Sequence, residues 1–166
     1  MPRGPVGRKT VHHMDFETLV GVNKEVVALT GEAHQYSGAD GEKLSSLIKE
    51  VELRADNQDP EEAVPEKASL LVFKVASGQY FHAGNKRTAL VAGLAFLAKN
   101  GYRVDITDAE FVSTVDRAGI AAASLDDLYG VMRRLAVKSA VERKGWDKAV
   151  RQIVESNKDF LTEMGS

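Results

Sequence analysis

Two stretches of this chain are apolar on nearly every helical face, and only a short connector separates them. Residues 66–77 carry Ala68, Leu70, Leu71, Val72, Phe73, Val75 and Ala76, and residues 84–99 carry Leu90, Val91, Leu94, Ala95, Leu97 and Ala98. A helix with apolar side chains all round has no face to offer water and belongs inside a core. Gly78 stops the first of them, and Gln79 to Ala83 lead into the second. Asn100-Gly101 closes the second in the manner of a left-handed C-terminal turn. The rest of the chain must therefore cover this pair. The expected architecture is all-α, a compact helical bundle with two buried central helices.

The cover is legible as amphipathic segments. A helix opens at Asp15, a residue type that caps N-termini, and carries Leu19, Val22, Val26, Val27 and Leu29 before Gly31. Residues 34–41 are turn-rich and read as a loop. Leu44, Leu47, Ile48 and Val51 then place a second helix over residues 42–53. Residues 54–65 read as another loop, with Pro65 suited to the first turn of the buried helix that follows. Tyr102 to Ile106 is a short extended stretch. Thr107 and Glu110 have capping-box spacing for a helix over 108–118. Ser124 precedes a further helix with Leu125, Leu128, Val131, Met132 and Leu135. A last amphipathic segment carries Trp146, Val150, Ile153, Val154 and Phe160. The expected organisation is a flexible arm over 1–14, a main domain over 15–135 and an amphipathic helical extension over 136–166.

Composition excludes several classes. The 166 residues include no cysteine, so disulfides, thiolate metal sites and cysteine nucleophiles are out. The formal net charge is −2, which gives no global pull toward nucleic acid or membrane. No apolar run reaches bilayer length, and the basic N-terminus lacks the apolar stretch of a secretory signal. A reduced cytoplasm is the expected location.

Chemistry concentrates where the second buried helix begins. The first turn of a helix presents N–H groups without partners, and the helix dipole adds partial positive charge there. Together they form an anion site. Gly84 allows close backbone approach, Asn85 accepts and donates, and Lys86 and Arg87 add two cations in one turn. Cations disfavour this end of a helix by roughly a few tenths of a kcal/mol, so two side by side call for an anion. The competing interpretation is a pair that merely points to solvent. Gly84, Asn85, Lys86 and Arg87 are the expected phosphate-binding residues, and nucleotide phosphates the expected partner.

The run Gln79-Tyr80-Phe81-His82-Ala83-Gly84-Asn85-Lys86-Arg87-Thr88-Ala89-Leu90 resembles the signature of the Fic/Doc (Fido) family in its Doc-like, death-on-curing form. That pattern is His-x-Phe-x-Asp-(Gly/Ala)-Asn-Lys-Arg-Thr-Ala. Weaker similarity covers about residues 20–135, including the Tyr36-Ser37-Gly38 loop. The resemblance implies the Fic fold and the transfer of part of a nucleotide, from ATP, to a hydroxyl of a target protein. Lys86 and Leu90 stand where nucleotidyl-transferring relatives carry Gly and a second Arg. They point to the phosphate-transferring Doc branch, a toxin class held in check by an antitoxin-like partner. The family's autoinhibitory motif has no match in a terminal helix.

Two positions depart from the pattern. The family's general base, a His, falls on Gln79, which has no titratable nitrogen. The family's magnesium-holding acid falls on Ala83, and a methyl group is no ligand for a hard cation. A general base contributes ~10²–10⁴ in rate. His82 is the one nearby substitute, but bringing it to the base position would pull Phe81 from its core slot. The expectation is a retained phosphate-binding turn with a degenerate catalytic motif and weak or absent standard transferase activity. ATP is the expected ligand, and a role for magnesium is thrown into question. The alternatives are a Doc-like toxin phosphotransferase and a protein-interaction module without nucleotide. His12-His13 are read as arm residues, with metal binding the weaker alternative, His34 as a turn residue, Asp126-Asp127 as capping or solvating a helix, and Trp146 as a core or partner-interface residue.

Overall fold

The computed structural model describes residues 10–32, 34 and 38–164. Residues 1–9 of the expected arm and the Tyr36-Ser37 part of the expected loop lie outside them. The elements run α1 (Phe16–Ala28), α2 (Gly38–Leu53), α3 (Pro60–Ser77), α4 (Asn85–Lys99), β1 (Tyr102–Arg103), α5 (Ala109–Gly119), α6 (Leu125–Leu135), β2 (Val137–Lys138), α7 (Trp146–Ser156) and α8 (Lys158–Glu163). The fold is all-α with one small antiparallel ribbon, in which Tyr102 pairs with Lys138 and Arg103 with Val137.

The two expected central helices are the centre. In α4, Leu90, Val91, Ala92, Ala95, Phe96 and Leu97 have no exposed surface, and α3 buries Ala68, Leu70, Leu71, Val72, Val75 and Ala76. Each fully buried large apolar side chain contributes ~1.5–3 kcal/mol. The helices approach closely at Gly93, where a Cβ would stand 2.4 Å from Val72 Cγ2. α1 and α7 pack on α4, while α2, α5 and α6 pack on α3.

Several boundaries differ from those read in the sequence. α3 begins six residues before 66, because Pro60 takes the first helical position. Pro65 lies inside the helix, where it withholds the N–H that would bond the Glu61 carbonyl. The Tyr102 hydroxyl approaches that carbonyl instead, at 3.5 Å. α2 begins at Gly38 rather than 42, with Asp40 in its first turn complementing the dipole. The cap of α5 is Asp108, whose carboxylate accepts from Glu110 and Phe111 N–H at 3.0 Å. Thr107 is held instead by Asp105, to which its N–H and hydroxyl both donate. Asp15 caps α1, and Ser124 with Asp127 forms a capping box on α6.

Both ends of the described chain are tied to the core. Met14 is buried. The Asn100 side chain holds the His12 N–H at 2.7 Å and its carbonyl at 2.9 Å. Residues 10–14 of the expected flexible arm are therefore docked. At the other end, Val150, Val154 and Leu161 enter the common core. No helix among the described residues is long and apolar enough to cross a membrane.

Candidate functional site

The connector from α3 to α4 alternates between solvent and core. Gln79 is exposed and adopts φ 53°, a left-handed conformation uncommon outside glycine. Tyr80 and Phe81 turn inward, His82 is exposed, and Ala83 is half-buried. Lys43 of α2 clamps the start of this segment by donating to the Gly78 carbonyl at 3.1 Å and lying 5.0 Å from the Tyr80 ring centroid.

Asn85 fixes the register. Its Oδ1 accepts from the Phe81 N–H at 3.1 Å, and its Nδ2 donates to the Phe81 carbonyl at 2.8 Å. One buried side chain thus satisfies both main-chain groups of a buried residue, and leaving such groups unpaired costs ~1–3 kcal/mol each. A slip that brought His82 toward the place of Gln79 would break both bonds and expel Phe81. The structure holds His82 on the exposed side and Phe81 in the core.

Gly84 is the N-cap of α4, with φ 74° and no side-chain cap. Its Cα faces α1 so closely that a Cβ would stand 3.0 Å from Val27 Cγ1. Below it lies Asn23, which has no exposed surface. Asn23 Nδ2 donates to the Ala83 carbonyl at 2.9 Å and to Thr88 Oγ1 at 3.0 Å. Its Oδ1 lies 2.6 Å from His34 Nδ1, so that nitrogen carries the proton. The His34 ring packs 5.9 Å from that of Phe81. Burial, and then Lys24, push the His34 pKa below its usual value. Its Nε2 is also buried. His34 braces the connector through Asn23 and Phe81.

The two cations of the turn have different surroundings. Lys86 is partly exposed and pairs with Asp116 of α5, Nζ to Oδ1 3.0 Å. Arg87 is buried, at 5% exposure. Its Nε donates to the Leu161 carbonyl at 2.6 Å and its Nη2 to the Met164 carbonyl at 2.5 Å. Those carbonyls belong to the last turn of α8, whose own N–H partners have run out. The guanidinium is thus a cap on the negative pole of α8. Of the expected phosphate-binding groups, the side chains of Asn85 and Arg87 are engaged within the protein. No acceptor among the described residues meets the main-chain N–H groups of Asn85, Lys86 and Arg87. These amides and Lys86 are what the turn has to offer an anion.

Magnesium, which the fold family implies, does not fit the residues present. The Ala83 side chain carries no oxygen, its carbonyl is taken by Asn23, and no group of three acidic, His or Cys side chains suited to a metal occurs among the described residues.

A family model described as Fic/DOC family matches residues 9–97, more than half of the chain. The chain belongs to the Fic/DOC family. No curated protein and no solved structure matches it. The matched residues end within α4, so Asp116 and α8 lie beyond them.

Sequence reasoning missed Asn23, Thr88, His34, Asp116 and α8. Only Asn23 had a local signal, a polar residue between Leu19, Val26 and Val27 on the apolar face of α1. Thr88 stands within the run from Gln79 to Leu90, but its bond to Asn23 is tertiary; His34, Asp116 and α8 reach the turn through contacts between separate elements.

Proposed function

We propose that this protein binds the phosphates of a nucleotide such as ATP at the first turn of α4 and performs the standard transfer weakly or not at all. The observation that carries this reading is the opening of α4. Gly84, left-handed and without a side chain, gives a helix start with no side-chain cap, and partly exposed Lys86 stands in its first turn. Anions are favoured at such a terminus by the dipole and the free N–H groups together. The family membership supports the assignment of nucleotide phosphate as the anion. In the Doc-like reading the transferred group is the terminal phosphate and the acceptor a protein hydroxyl.

Weak chemistry follows from positions 79 and 83. Gln79 hydrogen-bonds a hydroxyl but cannot take its proton. Ala83 brings no charge to a metal, so developing phosphate charge rests on the helix N-terminus and Lys86 alone. The test has two arms. Calorimetry with ATP, with and without magnesium, should show binding that is nearly independent of the metal. The double variant Gln79→His, Ala83→Asp should then gain transferase activity on a protein band in labelled-ATP extracts, or toxicity on expression. A folded, ATP-binding double variant that stays silent would show that more than these two groups is missing. Labelling by the natural chain that is lost in Lys86→Ala would instead establish the Doc-like phosphotransferase.

The internal bonds of Asn85 and Arg87 favour one second reading, a protein-interaction module without nucleotide. Absence of ATP binding in a folded protein would select it.

A further inference from the structure

The Lys86 side chain does not project freely from α4. Its ammonium contacts Asp116 at 3.0 Å, and its side chain is only 24% exposed. Its Cγ and Cδ lie 3.8 Å from the place a Cβ would occupy on Gly119, so the stem lies along the last turn of α5. α5 itself comes close to α3 there, with that same point 3.4 Å from the Ala76 carbonyl. The lysine is held by an element outside the family-matched residues. Arg87, its neighbour, is engaged by α8.

We infer that Asp116 is an internal competitor for the phosphate ligand: it holds Lys86 in a paired state, and an incoming phosphate group binds by taking the ammonium from it. This deepens the phosphate reading and rests on it. The chemistry is an exchange of one anion for another on a single cation, with no bond made or broken. A carboxylate offers Lys86 one charge. A pyrophosphate group offers more charge and more acceptor oxygens, and it is held by the N–H groups of α4 as well. The exchange is easy because Asp116 is half exposed, and pairs of that kind are worth ~0–1 kcal/mol. Asp116 is a positioning residue, since it acts on the ligand only through Lys86.

The test uses the full chain and inorganic pyrophosphate without metal. In the absence of ligand, a water-soluble acylating reagent is applied and Lys86 labelling is read by peptide mass spectrometry, with exposed Lys148 as the internal reference. Asp116→Asn should raise Lys86 labelling by up to about fivefold, the factor that corresponds to the upper value of such a pair. Equal labelling of the natural chain and the variant overturns the latch, whatever pyrophosphate does. Calorimetry should then show pyrophosphate binding tightened by a similar factor in Asp116→Asn and weakened in Lys86→Ala. In the Lys86→Ala background, Asp116→Asn should make no difference. A gain that persists there belongs to general charge and overturns the latch, as does weaker binding in Asp116→Asn alone. If pyrophosphate binds none of these proteins while Asp116→Asn still labels faster, the pair stands and the phosphate reading falls, taking the exchange with it.

Discussion

Arg87 and Lys67 are both buried cations, and both end a helix. Arg87 donates to the carbonyls of Leu161 and Met164 at the end of α8. Lys67, in α3, donates to the carbonyls of Val51 at 3.1 Å and Glu52 at 2.7 Å at the end of α2. In each case a charge inside the core meets the negative pole of a helix whose last carbonyls lack partners. Lys67 lies outside the turn that opens α4, yet it does what Arg87 does. The comparison separates two roles that the motif runs together. An arginine in the Gly-Asn-Lys-Arg run serves here as a cap on the terminal helix, and its neighbour Lys86 is the cation nearer to solvent.

The two junctions also differ. α2 has sixteen residues and its own apolar face, with Leu44, Leu47 and Val51 in the core. α8 has six, too few to stand without tertiary support, and is held by buried Leu161, by Phe160 and Met164 against the core, and by Arg87. Arginine stays charged under all conditions, whereas burial pushes the Lys67 pKa below its usual value against the pull of Asp56, Glu52 and Glu66.

The comparison can be broken in order of expected effect. Arg87→Met should cost the most, roughly 2–3 kcal/mol in chemical denaturation, the loss of charged hydrogen bonds to a buried partner. Amides of residues 158–164 should then exchange with deuterium far faster than those of α7. If α8 keeps its protection, Arg87 is not its cap. Lys67→Met should cost less, about 1 kcal/mol, because the sixteen-residue α2 keeps its place through its own apolar face when the cap is lost. Only the last turn of α2 should lose protection. A cost equal to that of Arg87→Met would mean that helix length does not decide how much a cap matters.

The pH dependence sharpens the Lys67 side. Its folded-state pKa is lowered, so the unfolded chain binds the proton more tightly. Stability should rise as pH approaches 10.5 from below, and Lys67→Met should flatten that rise. The smallest effect concerns His13, whose pKa is lowered by burial first and by Lys67 second. The unfolded chain again binds the proton better, so stability is retained above pH 6.5 and falls as the pH drops below it. In acid titrations followed by thermal denaturation, His13→Gln should reduce that slope, and Lys67→Met should reduce it in part. No change in either variant would show that His13 is not coupled to the α2 junction.

The connector and the turn that follows it were unequally readable. Gly84 was readable as a point of close backbone approach at a helix start, and Phe81 as a core residue through its place in the family pattern. The partners of Asn85 and Arg87 were not readable. Asn85 turns back on a peptide four residues earlier, where an amide on a first helical turn could equally face an anion. Arg87 meets carbonyls 74 and 77 residues away, and main-chain acceptors leave no mark on composition. Pro65 misled for a related reason. A proline early in a helix loses one bond and can lie one turn inside, so its position alone does not set the start.

By itself the sequence determined the all-α class, the two buried central helices, the family and the start of the second buried helix near Gly84. Those features follow from local periodicity, backbone sterics and residue type, each expressed within a few positions. The tertiary structure alone decided how the charges of the turn are used. It put Asn23 and His34 beneath the connector, Asp116 against Lys86 and the end of α8 on Arg87. A buried cation takes whichever acceptors packing brings to it, and packing depends on elements far apart in the chain.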